Sequence, residues 1–391
     1  MIKGLSKEKE IVIILSQLSL TNEEQLYCKE TIQEPIDLSK ILFYLLDNKT
    51  ENIFFNNVMR YDLYRYIPRK IRKKLELLYA ANALRNERLQ KELSTILKLL
   101  YKKNIKPILL KGSFLNNFLY SVKSLRFQND IDILVKESDL KEITLTLEEN
   151  GYIQGFINTK LNIIDKATKT QKIFSRLYTH ELIPFIRKND DLLISNFIID
   201  VQFDIFSQAK NNSINIDRAF LFDRSEKGYL LDSNIPFFHL SIPDNIIQMC
   251  SHLFQDMTMI ESIEQGKDLE LINFIDIKEY INKNKDEINW QEFSSYILNN
   301  KLEKILYSTL FHVNKVYENT VPISFMEEIK PMDIGYLNQF GFEEQEPLNW
   351  DSRFEDRLFN PNRKNVLENI TNQDMFETKK YRKVMNGVSN D

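Results

Sequence analysis

Asp130-Ile131-Asp132 places two carboxylates one residue apart in a stretch, Asp-Ile-Asp-Ile-Leu-Val, that is otherwise apolar and reads as a strand. Side chains two apart on a strand share a face, with Cα atoms roughly 6.5–7 Å apart, so both carboxylates can converge on hard divalent cations. Like charges side by side in such a strand need a neutraliser. Mg²⁺ suits the role, because it prefers oxygen ligands and is commonly shared between carboxylates and substrate phosphates. The alternative is an edge strand whose polar residues simply face water. Upstream, Lys111-Gly112-Ser113 ends an apolar strand-like run and opens a short helix pattern. Gly112 would let the backbone approach a triphosphate, and Ser113 would offer its hydroxyl and N–H at a helix N-terminus. Lys111 and Arg126 supply cations for phosphate oxygens. The tripeptide is not a Walker A loop, since the first glycine of GxxxxGK[ST] is absent.

A third carboxylate would complete a two-metal site, in which one ion activates the attacking oxygen and the other clamps the phosphates. Asp200 is the candidate: Ile198, Asp200, Gln202 and Asp204 alternate with Ile199, Val201, Phe203 and Ile205, so one strand face is core and the other presents carboxylates. His180, His252 and Asp276 are further candidates on the acceptor side, as a base or phosphate-orienting groups. His252 has Asp256 four residues on, a spacing that a structural His–Asp hydrogen bond explains equally well. Asp276, between Ile275 and Ile277, either joins a buried network or faces a cleft.

The elements that position these residues follow from periodicity. Residues 1–104 read as an N-terminal helical region, ending in a long helix over about 69–103 whose Leu75, Leu78, Leu89, Leu93, Ile96, Leu97 and Leu100 form one apolar stripe. Residues 105–206 alternate short strands and helices and form the core, with Gly151 capping a helix over 139–150. Strand-like runs are expected at 151–157, 172–186 and 192–206. Helices return over 207–335, and 336–391 is a polar, Asn-rich tail whose Phe340, Phe342, Trp350, Phe354 and Phe359 suggest wrapping over the body. The fold class is therefore α+β, a mixed sheet flanked by helical regions.

Taken in order, the strand before Lys-Gly, the short helix with Tyr120, Arg126, Asp-Ile-Asp-Ile-Leu-Val, a helix and Gly151-Tyr152 resemble a bacterial uncharacterised nucleotidyltransferase family of the DNA polymerase β-like superfamily. Tyr178-Thr179-His180-Glu181-Leu182-Ile183-Pro184 resembles that family's His-x-x-Pro strand, and Ile199-Asp200-Val201-Gln202-Phe203 its Asp-Leu-His-Trp strand. Cys250-Ser251-His252-Leu253 resembles its helical His, and Phe274-Ile275-Asp276-Ile277 the aspartate-bearing helix that follows. The resemblance implies a mixed-sheet nucleotidyltransferase core with Asp130, Asp132 and Asp200 as metal-binding, catalytic carboxylates. It implies Lys111, Gly112, Ser113 and Arg126 as nucleotide-binding residues, and two Mg²⁺ ions, or Mn²⁺, as cofactors. Gln202 stands where the family often has His and cannot act as a base.

The implied reaction moves a nucleoside monophosphate from an NTP, with ATP the expected donor, to an acceptor hydroxyl. A small-molecule acceptor fits the net charge of −4 and the pI near 5.8 better than a long nucleic acid does. The alternatives are a toxin-type enzyme modifying tRNA or another macromolecule, and an inactive nucleotide-binding scaffold. Only the cluster Tyr61, Tyr64, Arg65, Tyr66, Arg69, Lys70, Arg72, Lys73 and Lys74 favours RNA, and a solvated helix face accounts for it more simply. Cys28 and Cys250 are far apart with no CxxC or Cys/His cluster, so neither a disulfide framework nor a zinc site is indicated. No apolar run approaches a membrane span and no signal sequence is evident, so a cytoplasmic location is expected.

Overall fold

A computed structural model describes residues 4–206, 214, 216–231, 233–370 and 375–385. Four helices, α1 (Lys7–Leu15), α2 (Asn22–Thr31), α3 (Leu38–Asp47) and α4 (Glu51–Arg60), precede the long α5 (Arg69–Lys102). Strands and helices then alternate: β1 (Ile108–Leu109), α6 (Lys111–Phe118), β2 (Ile131–Leu134), α7 (Leu140–Glu149), β3 (Ile153–Asn158) and β4 (Ile163–Lys166). They continue with α8 (Lys169–Tyr178), β5 (Phe185–Lys188), β6 (Asn196–Gln202), α9 (Arg218–Asp223), β7 (Glu226–Tyr229) and β8 (Pro236–His239). Helices α10 (Ile242–Thr258), α11 (Ile260–Glu264), α12 (Leu271–Asn284), α13 (Trp290–Asn299), α14 (Glu303–Val316) and α15 (Ile323–Glu328) follow. The chain closes with β9 (Gln339–Phe340), β10 (Leu348–Asn349), α16 (Phe354–Arg357) and α17 (Phe376–Met385).

These elements group into two compact units that are not consecutive stretches. One comprises residues 1–82, 124–126 and 249–380, the other 83–123, 127–248 and 381–391. The second contains one mixed sheet in the order β4-β3-β5-β6-β2-β1-β8-β7. β2 and β6 are parallel at its centre, β1 is antiparallel to β2 and parallel to β8, and the remaining pairs are antiparallel. The α+β class with a mixed sheet is thus present. β7 and β8 extend the sheet past residue 206, where helices alone were anticipated.

Burial explains why the central strands lie where they do. Ile131, Ile133, Leu134, Ile199 and Val201 are all buried, so β2 and β6 carry apolar residues that an edge position would leave in water. The stripe along α5 is buried at Leu75, Leu89, Leu93, Ile96, Leu97 and Leu100, while Leu78 is half-buried. A polar network lies alongside: the Tyr152 hydroxyl donates to Glu92 Oε1 at 2.5 Å and Arg187 Nη2 meets Glu92 Oε2 at 2.6 Å. Gly151, with φ of +83°, follows α7 as the expected C-terminal glycine.

One sequence expectation fails locally. Residues 172–186 do not form one strand-like run; the stretch as far as Tyr178 belongs to α8, Glu181 makes an isolated bridge, and β5 begins only at Phe185. The helix is set by a capping box, in which the Thr168 hydroxyl accepts from the Gln171 N–H and the Gln171 side chain accepts from the Thr168 N–H. That cap outweighs the β-branched and aromatic content of the run.

In the helical unit the aromatic residues of the tail form core. Phe340 and Trp350 pack with Ile260 and Ile263, and Phe354 and Phe359 are buried as well. β9 and β10 pair as a short hairpin there. The tail as far as Ile370 is therefore built into this unit, and its residues 371–374 and 386–391 lie outside the described residues.

Candidate active site

The site assembles from β2, β6 and the turn between β1 and α6. Asp132 and Asp200 are register partners on the parallel pair β2/β6, so their side chains emerge side by side on one face of the sheet. Asp130 sits in the turn immediately before β2. Glu181 forms an isolated antiparallel bridge with Gln202 at the end of β6, which brings a fourth carboxylate to the group.

The electrostatics follow from that crowding. Asp200 is raised well above the usual carboxylate range, first by burial and then by the negative charges of Asp130, Glu181 and Asp132, against which Lys111 pulls. Its Oδ1 is buried and has no hydrogen-bond partner among the described residues. Lys111 supplies the local cation. Its Nζ donates to Asp132 Oδ1 at 2.9 Å, and although burial disfavours the ammonium, Asp132, Glu181 and Asp130 outweigh that and hold it above the ordinary lysine range. Lys111 adopts φ of +44°, a left-handed conformation uncommon for a residue with a Cβ.

The turn residues play parts that spacing alone does not reveal. Ser113 is buried and its hydroxyl accepts from the Asp132 N–H at 3.0 Å and from Gln128 Nε2 at 3.0 Å, fixing the aspartate strand against the start of α6. Its proton is left to donate. Gly112 is buried within α6. Gln202, also buried, points its amide toward Asp132 Oδ1 at 3.4 Å, which makes it a donor to the carboxylate group rather than a base. His180, mostly buried, has Nε2 3.9 Å from Glu181 Oε2, and its backbone carbonyl accepts from Phe203 and Asp204 at the end of β6.

Three expected site residues lie in the helical unit. Arg126 is taken up by Asp276: Nε lies 2.9 and 3.0 Å from its two oxygens and Nη2 lies 2.7 Å from Oδ2, both residues being buried. That edge of the guanidinium, which was to grip phosphate, is filled, and Asp276 is accounted for as the buried partner. His252 Nδ1 lies 3.1 Å from Asp256 Oδ2, the structural pairing that the spacing allowed.

Sequence reasoning missed two positioning residues and one charge. Arg85 donates to the Gln128 carbonyl at 2.9 Å, to Leu193 at 2.6 Å and to Asn129 Oδ1 at 3.0 Å, while covering the Phe127 ring at 4.9 Å. Gln128 donates to the Asp130 carbonyl at 2.6 Å and accepts from Asn116 at 2.8 Å. Nothing in the local sequence marks either, because Arg85 reaches the Gln128 and Leu193 carbonyls far along the chain and Gln128 meets the side chains of Ser113 and Asn116 on α6. Glu181 lay inside a family-like stretch, but only its bridge to Gln202 brings it to the aspartates.

Several carboxylates, one of them with an unsatisfied buried oxygen, fit a divalent cation. Among the described residues no three His, Cys, Asp or Glu side chains form a ready-made cage, so water and substrate oxygens would supply the remaining ligands.

A mixed sheet with paired aspartates on adjacent central strands, opened by a Lys-Gly-Ser turn into a helix, fits a phosphoryl-transfer class of site. Residues 34–318, more than half of the chain, match the family described as "Uncharacterised nucleotidyltransferase", and the chain belongs to that family, a transferase of nucleotidyl groups. No curated protein and no solved structure matches the chain. No helix among the described residues is long and apolar enough to cross a membrane.

Proposed function

We propose that the chain transfers a nucleoside monophosphate from an NTP, with ATP the favoured donor, to the hydroxyl of a small-molecule acceptor. The observation that carries this reading is the pairing of Asp132 with Asp200 across β2/β6, where Asp200 has an orphaned buried oxygen amid like charges. Asp130, Asp132 and Asp200 are the residues that would hold Mg²⁺ or Mn²⁺. When bound, such ions neutralise phosphate charge and the crowding among these carboxylates.

The chain's own groups do the rest. Asp200 orients the acceptor hydroxyl and takes its proton as the new O–Pα bond forms and the bond from Pα to the pyrophosphate oxygen breaks. Lys111 shifts between Asp132 and the phosphates as a point charge. The first turn of α6 offers its free N–H groups and the Ser113 proton to the triphosphate. Arg126 is given no phosphate role, since Asp276 fills its Nε/Nη2 edge.

The test is incubation with each α-labelled NTP and Mg²⁺ in the presence of candidate metabolites or RNA. Label is expected on a small acceptor, with Asp130→Ala and Asp132→Ala each lowering transfer by more than about 100-fold. Transfer that survives both substitutions would remove the proposed site.

A further inference from the structure

The sheet face that carries the aspartates continues past them as an apolar row. Register partners on neighbouring strands point to the same side, so the pairs Ile198–Ile186 and Ile186–Ile153 carry the face of Asp200 across β6, β5 and β3. Ile198 lies two residues before Asp200, with Cα atoms roughly 6.5–7 Å apart along the strand. Two inter-strand spacings make the row roughly 10 Å long. Ile157 and Ile164, paired across β3 and β4, continue it to the edge of the sheet. Ile186 is buried, whereas Ile198, Ile157 and Ile164 are half-buried and Ile153 is 38% exposed. β3 is an internal strand, and an isoleucine that exposed on it marks a face left open at that point. On the opposite face Phe185, Ile199 and Val201 are fully buried, as core requires.

The geometry of the transfer says which reactant meets that row. The attacking and leaving oxygens stand roughly in line on opposite sides of the phosphorus. Lys111 and the first turn of α6, which receive the phosphates, follow β1, and β1 neighbours β2 on the side away from β6. The leaving pyrophosphate is drawn to that flank, so the acceptor approaches from the flank of β6 and β5, over Ile198. Open apolar side chains there gain by covering an uncharged body and return nothing for the desolvation of a charged one.

We propose that Ile198 and Ile153 set acceptor specificity, and that the acceptor is a small alcohol whose hydroxyl meets Asp200 while an uncharged apolar body, about the length of two fused rings, lies along the row. The proposal rests on the transfer reading for the orientation of the acceptor. Naphthylethanol and glucose serve as probes. Each is titrated calorimetrically into the purified chain in Mg²⁺ and α,β-methylene-ATP, and each is then offered as acceptor with α-labelled ATP. Naphthylethanol is expected to bind at least about 10-fold more tightly than glucose and to take more label. Ile153→Ser should weaken its binding about 5- to 10-fold. Ile153→Phe, which keeps the surface apolar, should hold or tighten it. Leu192→Ser, which removes a fully exposed apolar side chain from the turn between β5 and β6, should leave it unchanged. No saturable binding of naphthylethanol, glucose binding as tightly, or an affinity untouched by Ile153→Ser would each overturn the proposal. The expected binding preference without labelled product would instead remove the transfer reading and leave the apolar subsite standing.

Discussion

Asp200 carries a conflict of its own among the residues of this site, a half-buried carboxylate facing the charges of Asp130, Glu181 and Asp132, with one buried oxygen that has no hydrogen-bond partner among the described residues. Its folded-state pKa is raised above the unfolded value of about 3.9. The folded state therefore holds its proton more tightly, and stability falls as pH rises from about 3.9 through the raised value. At neutral pH without divalent cation, Asp200→Asn should raise Tm while abolishing nucleotidyl transfer. Added Mg²⁺ should stabilise the parent protein and have less effect on the variant. Thermal melts in chelator and in Mg²⁺ check this, and a variant less stable than its parent in chelator would contradict it. Ser113 gives a second residue-scale outcome. Ser113→Ala orphans the buried Asp132 N–H, so a loss of about 1–3 kcal/mol is expected in denaturant unfolding, with a fall in transfer from the displaced strand.

At the scale of elements, the loop over residues 127–130 is held from outside by Arg85 on α5 and from within by Gln128. Arg85→Met should lower kcat more than it raises the KM for NTP, because it loosens the support of Asp130 without removing a phosphate contact. Steady-state kinetics distinguish this from a direct contact, which would act mainly on KM. The Arg126–Asp276 pair fastens residues 124–126 to α12 inside the helical unit. Breaking it from either side should cost about 3–5 kcal/mol, and the double apolar replacement less than the sum.

The same elements indicate what a sequence can reveal. That Asp132 and Asp200 lie on strands was legible because strand alternation is local and carboxylates in an apolar strand are conspicuous, whereas Asp130, read as part of that strand, falls in the bend just before it. The burial of Phe340, Trp350, Phe354 and Phe359 follows from the apolar surface they must cover. The extent of the sheet was not, because β7 and β8 are short and join through the single register pair Ile108–Phe238. Nor was the pairing of Arg126 with Asp276, since 150 residues separate them and each alone suits several roles.

For the whole molecule, net charge and local charge point the same way. The chain is acidic overall, and within the basic cluster at the start of α5 Arg65 pairs with Asp62 and Lys73 lies 2.7 Å from Glu76, as on an ordinary solvated helix face. Neutralising Lys70, Lys73 and Lys74 together should therefore leave transfer to a small acceptor unchanged, whereas an RNA acceptor would be lost with them. The central claim is that the aspartates of β2 and β6 act together in nucleotidyl transfer. Its most direct measurement is single-turnover transfer from α-labelled ATP in Mg²⁺, comparing the parent protein with Asp132→Ala and Asp200→Ala. The account predicts labelled acceptor and released pyrophosphate from the parent and a loss of more than about 100-fold in each variant. Undiminished labelling in either variant would contradict it.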